Sequence, residues 1–137
     1  MQTVKMVVTG PYSSGKTQFI RTISEIDVVS TERRVSAEAE RLKNETTVAM
    51  DFGRITIDDD LVLYLFGTPG QRRFDFMWEI LANEMNGFIV LVDTTDAASF
   101  PDAQDLIQLF SNFNKVPYLV VAHNFINCLI SVISHCP

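Results

Sequence analysis

GPYSSGKT, residues 10–17, is the stretch on which the fold turns. It satisfies G-x-x-x-x-G-K-[ST] at every fixed position. It also stands where that pattern must stand, behind a β-branched run, VKMVVT (4–9), and ahead of a helical one, GKTQFIRTISEI (15–26). The layout is that of a phosphate cradle. Gly10 and Gly15 let the backbone pass close to phosphate oxygens. Successive N–H groups at the helix start, those of Ser13 and Ser14 included, present partial positive charge. Lys16 is placed to bridge the β- and γ-phosphates of a nucleoside triphosphate, and Thr17 to offer its hydroxyl to Mg²⁺.

Outward from the cradle the chain alternates strand and helix. Phe19, Ile20, Ile23 and Ile26 recur at helical spacing behind it. TVAMDFGRITI (47–57) and LVLYLF (61–66) flank Asp58, Asp59 and Asp60 and read as a β-hairpin with an acidic turn. RRFDFMWEILANEM (72–85) has helical spacing at Phe76, Ile80, Leu81 and Met85. GFIVLVD (87–93) and PYLVVA (117–122) are the apolar runs of a buried parallel sheet. Between them, SFPDAQDLIQLFSNF (99–113) opens with Ser99 as cap and Pro101 in the first turn, and sends Phe100, Ala103, Leu106, Ile107, Phe110 and Phe113 to the core. Residues 27–46 form a long polar connection, with SAEAERLK (36–43) as a short exposed helix. The expectation is an α/β fold with a mostly parallel sheet wrapped by helices and one antiparallel hairpin.

Bulk properties narrow the partners. The chain has 137 residues, which suits a single domain, and carries 11 basic against 17 acidic residues, a formal charge of −6. Such a surface argues against non-specific nucleic-acid or anionic-membrane binding, so a phosphate site must be a local device. Cys128 and Cys136 form no disulfide framework, which points to a reducing cytoplasm. With His123 and His135 they match no standard zinc spacing. No apolar run approaches the ~18 residues of a membrane span.

TTVAMDFGRITIDDDLVLYLFGTPGQRRF (46–74) resembles the effector, hairpin and switch region of the Ras-like small GTPases. Together with the cradle and GTPGQ (67–71), it is most similar to the bacterial small GTPases of the gliding-motility and conservon groups. The resemblance runs from about residue 3 to 124. It implies a three-layer G domain with bound Mg²⁺ and GTP or GDP. It implies that Thr47 closes over the metal, that Gly70 gives its N–H to the γ-phosphate, and that Gln71 orients the attacking water while Lys16 assists. Residues 27–47 and 67–85 become the two switch segments, released when the γ-phosphate leaves. A roadblock-type regulator is the partner that the resemblance implies.

The chain departs from this pattern at four places. Gly67 stands where most of the superfamily has a Mg²⁺-linked aspartate, which leaves Thr17 a larger share of the metal. Tyr12 stands where many relatives have glycine beside the γ-phosphate. In the guanine-reading NKxD motif, Asn124 is kept, Phe125 replaces the lysine and Asn127 the aspartate. Asn127 offers one acceptor where guanine presents two donors. Beyond it, CLISVISHCP (128–137) supplies one strand at most, so the expected domain is a G domain over 1–137 that lacks its C-terminal elements, with apolar surface that a homodimer would cover. The departures also raise the alternative of a degenerate scaffold with weak nucleotide binding. A phosphotransferase is disfavoured, since no acceptor or lid motif accompanies the cradle.

Overall fold

Alternate residues of one strand settle how the layers are arranged. The computed structural model describes residues 1–30, 50–69, 75–124 and 131–135. The expectations for the helix at 36–43, and for Thr47, Gly70, Gln71, Phe125, Asn127, Cys128 and Cys136, fall outside these residues. Strand β1 (Gln2–Thr9) sends Val7 and Val8 to opposite faces, both wholly buried. Val7 joins Trp78, Leu81, Phe88, Leu106 and Phe110 in one core. Val8 joins Ile20, Leu65, Ile89, Leu91 and Val121 in the other. A strand with period-2 side chains and two apolar faces must be covered on both sides.

The cover is helical. Helix α1 (Lys16–Ile23) buries Ile20 on the second core. Helices α2 (Asp75–Ala82) and α3 (Phe100–Phe113) lie on the first. Strands β2 (Val29–Ser30), β3 (Asp51–Asp58), β4 (Leu61–Gly67), β5 (Gly87–Asp93), β6 (Tyr118–His123) and β7 (Ser131–His135) complete one sheet in the order β2-β3-β4-β1-β5-β6-β7. The four central strands run parallel. The β3–β4 hairpin turns at Asp59 and Asp60, as its acidic triple predicts, and Asp59 N–H donates to the Asp58 carboxylate at 2.8 Å. Two further antiparallel neighbours, β2 on β3 and β7 on β6, add to the single expected hairpin. β7 is the one strand that the final residues were expected to supply.

Several expectations for the helices change. Phe76 and Ile80 are 62% and 68% exposed, while Leu81 and Met85 are buried as expected and Trp78 and Ala82 complete the inner face. The reason is rotational. Trp78 donates its indole N–H to the Pro69 carbonyl at 2.9 Å, which turns that side of the helix inward. Phe100 is likewise 41% exposed, while Ala103, Leu106 and Phe110 are buried as expected. Ser99 does not cap α3 with its side chain. Its hydroxyl donates back to the Asp96 carbonyl at 2.7 Å, in the 3₁₀ turn Ala97–Ser99. α1 ends at Ile23 because the Ser24 hydroxyl takes the N–H groups of Ile26 and Arg54, holding an extended residue at the helix end. No described helix is long and apolar enough to cross a membrane.

Phe88 and Phe110 are fully buried with ring centroids 5.6 Å apart. Phe110→Ala is expected to cost about 3–5 kcal/mol of unfolding free energy in urea titration, by lost burial plus cavity. Ile80→Ala should shift it by less than ~0.5 kcal/mol, as befits an exposed side chain.

Candidate phosphate-binding site

Where β1 ends, backbone space dictates the sequence. A Cβ on Gly10 would lie 2.5 Å from the Ser14 hydroxyl and 2.7 Å from the Leu91 carbonyl. Ser13 (φ 63°) and Gly15 (φ 92°) are both in the left-handed region, and the chain curls through them into α1. Gly15 caps α1 without a side-chain hydrogen bond, and the first turn holds no acidic residue. The first amides of the helix are therefore left to an outside acceptor, with the positive end of the helix dipole behind them.

Two charges meet beneath this loop. Lys16 is 9% exposed and donates from Nζ to the carbonyls of Gly10 at 2.9 Å and Pro11 at 3.1 Å. Burial pushes its ammonium down to about 8, and the Asp51 carboxylate opposes part of that fall. The Thr17 hydroxyl donates to Asp51 Oδ2 at 2.5 Å. Asp51 opens β3, is 5% exposed, and leaves Oδ1 without a hydrogen-bond partner. A cleft of about 460 Å³ lies over these groups, with Tyr12, Arg21 and Thr68 on its other walls. Tyr12 is 67% exposed, so its ring stands out from the loop. Thr68 is buried. Its hydroxyl donates to that of Thr9 at 3.0 Å, and its N–H to the Val8 carbonyl at 2.9 Å, which ties the start of the 67–71 segment to β1.

The other end of the site is set by β5 and β6. The register brings Asp93 opposite His123. The His123 ring nitrogen Nε2 is 2.5 Å from the Ser14 carbonyl, a contact that pins the cradle to the end of β6. Asn124 follows with φ 67°. The Thr95 hydroxyl, the Thr95 amide and the Asn124 side chain hold the Asp93 carboxyl below its usual range. Thus the cradle and the end of β6, where Asn124 follows, are joined through one histidine.

The structure brings Gly10, Ser13, Ser14, Gly15, Lys16 and Thr17 together and places Asn124 across His123 from them. Thr47, Gly70, Gln71 and Asn127 lie outside the described residues. Reasoning from the sequence missed Asp51 and His123. Asp51 was reachable in principle. Counting back from the Asp58–Asp60 turn pairs it with Gly67, the position that lacks its acid. His123 carried no such signal, because its partner is a backbone carbonyl 109 residues away. A larger hollow, about 540 Å³, lies between α2 and α3 beside Ile80, Asn83 and Phe113. It is remote from the cradle, which among the described residues combines a buried cation, a buried carboxylate and free helix amides.

The Lys16 value has a direction that binding can test. A phosphate favours the ammonium, so it raises the bound-state pKa above the free-state value of about 8. Below that pH the amine is already charged. Above it, binding must take up a proton, so affinity for tripolyphosphate in EDTA is expected to fall by up to about tenfold per pH unit. Calorimetry of Lys16→Gln should lack this component.

Most of the chain is similar to known proteins. The family described as conserved hypothetical ATP binding protein matches residues 26–129, more than half of the chain. An uncharacterized protein of Methanocaldococcus jannaschii is 33% identical over 115 residues, covering 84% of this chain; the chain spans 66% of that relative's length. Among solved structures, the G domain of the T. maritima FeoB iron transporter superposes with a TM-score of 0.64, over 93% of this chain and 76% of that one, at 12% identity. That likeness speaks for the fold. The family match begins after residue 17, so the cradle is independent of it.

Proposed function

The chain belongs to the family described as conserved hypothetical ATP binding protein, and we propose that it is a cytoplasmic nucleotide-dependent switch. It binds guanine nucleotide with Mg²⁺, hydrolyses GTP slowly and signals through residues 27–47 and 67–85. The observation that carries this reading is the cradle itself, with a buried Lys16 amine, free helix amides and the Thr17 hydroxyl on one cleft.

The roles follow from the chemistry. The amides of residues 15–17 and the Lys16 amine meet the phosphates, while the Ser14 N–H donates to the Pro11 carbonyl at 3.1 Å, and no covalent help from the protein is needed. The residues fit a divalent ion: Thr17 supplies a hard oxygen, and a buried carboxylate oxygen beside it has no partner. Mg²⁺ held there would supply neutralisation of the phosphate charge. Thr17 and Thr47 are its proposed ligands, Gly70 the γ-phosphate donor, and Gln71 the residue that orients water. Guanine is proposed from the GTPGQ resemblance, against a family description that names ATP. With Asn127 in the base loop, a mispaired amide costs about 1–3 kcal/mol, so the preference is weak.

The exposed pair Phe76 and Ile80, one turn apart on α2, supports signalling by contact. The partner proposed there is a roadblock-type regulator. The same pair favours the second reading, an interaction scaffold with loosely held nucleotide.

Calorimetric titration with GTP, GDP and ATP, with and without Mg²⁺, separates the two. The switch reading expects Mg²⁺-dependent binding with guanine ahead of adenine, and a roughly 10–100-fold loss in Lys16→Ala from its charge-assisted bonds. Gln71→Ala should lower single-turnover hydrolysis about a hundredfold while leaving affinity in place. Binding that ignores Mg²⁺ and Lys16, beside partner capture that survives Lys16→Ala, would establish the scaffold instead.

A further inference from the structure

We propose that Asp51 is the acidic group of the Mg²⁺ site, moved from β4 to the neighbouring strand β3. The inference rests on the nucleotide reading above and concerns a residue that the motif pattern does not contain. P-loop switches hold the metal with the loop Ser or Thr and an aspartate on a later strand. In this chain that strand position is Gly67, and the carboxylate is absent there.

Strand pairing supplies a substitute. Asp51 and Gly67 are direct partners across the antiparallel ladder, so their side-chain positions share one face of the sheet. A Cβ on Gly67 would lie 3.3 Å from Asp51 Cβ and 3.6 Å from Asp51 Oδ2, and 2.8 Å from Ile20 Cδ1. The Asp51 carboxylate thus fills the corner that a side chain at 67 would enter. Glycine at 67 and aspartate at 51 are two halves of one arrangement.

The burial of that carboxylate calls for a cation. Taking an ionised carboxyl out of water is costly unless its lone pairs are met. Oδ2 is met by the Thr17 hydroxyl, while Oδ1 is fully shielded and has no partner. Lys16 is close enough to feel the charge, yet its three donors face the Gly10 and Pro11 carbonyls and the cleft, and no hydrogen bond joins it to Asp51. Because Asp51 accepts the Thr17 hydrogen, the lone pairs of the Thr17 hydroxyl turn to the cation. With a cation held there, Oδ1 would be the acceptor left for one of its waters, which suits an ion that keeps several of them. Asp51 is therefore a positioning residue that orients Thr17 and one metal-bound water.

The test is Mn²⁺ binding followed by electron paramagnetic resonance, with tripolyphosphate and with GTPγS, in wild type and Asp51→Asn, beside calorimetry of both probes in EDTA. Tripolyphosphate removes the base from the question. The expected result is that Asp51→Asn keeps or improves its metal-free affinity, keeps its thermal midpoint, and loses the Mn²⁺-dependent gain about 10–100-fold, as outer-sphere partners of metals do. An undiminished Mn²⁺-dependent gain in the variant would overturn the inference while leaving the nucleotide reading standing. So would equal losses with and without metal, which mark a purely structural residue. A wild type that gains from Mn²⁺ with tripolyphosphate but ignores GTPγS would support the Asp51 role and sink the guanine switch. A wild type that gains with neither probe overturns both.

Discussion

One strand carries the whole arrangement. β1 lies between β4 and β5, with Val7 and Val8 sealed into opposite cores, and its carboxyl end releases the chain into the loop at Gly10. A parallel strand in that place has no freedom to slip. Moving it by one residue would exchange Val7 and Val8 between the two faces and turn Thr9 away from Thr68. The cradle, the Thr68 anchor and the Lys16 contacts all inherit their positions from this register. Ligands of open α/β sheets gather at the carboxyl ends of the strands because only there do loops leave the sheet with unpaired amides.

Around that edge the protein tolerates electrostatics that its interior otherwise avoids. A lysine and an aspartate are buried beside each other, and neither is neutralised by a direct ion pair. Burial destabilises the Lys16 ammonium, and a ligand of opposite sign would relieve that cost. Outside the site, net negative charge does nothing to gather phosphate. Attraction must come from a few groups at short range, which favours shape and orientation over long-range steering. The contact between His123 and the Ser14 carbonyl ties the loop to the end of β6.

The likeness to the FeoB G domain at 12% identity shows how little of the sequence the architecture needs. Two apolar faces per central strand, helices to cover them and a glycine turn after β1 suffice. Chemistry resides in the few side chains that the fold brings to the edge. The proposed shift of an acid from β4 to β3 would show the same economy, since neighbouring strands offer interchangeable approaches to one point in space.

What the sequence determined by itself was local and periodic. Eight residues announced the cradle, because a loop that wraps phosphate needs glycine where backbone crowds and lysine and threonine at fixed offsets. Runs such as GFIVLVD announced buried strands, because only a sheet covered on both sides accepts so many apolar residues in sequence. The acidic triple announced its hairpin. Tertiary structure alone decided which face of α2 turned inward, since Phe76 and Trp78 are equally apolar and the choice fell to a Pro69 carbonyl beyond the helix. It alone set Ser99 to bond backwards rather than cap. It alone brought Asp51 under Thr17 and His123 onto Ser14, across 34 and 109 residues of chain. Helical and strand periods report what a residue does to its neighbours in sequence. A buried charge is placed by neighbours in space, and those exist only once the strands have chosen their register.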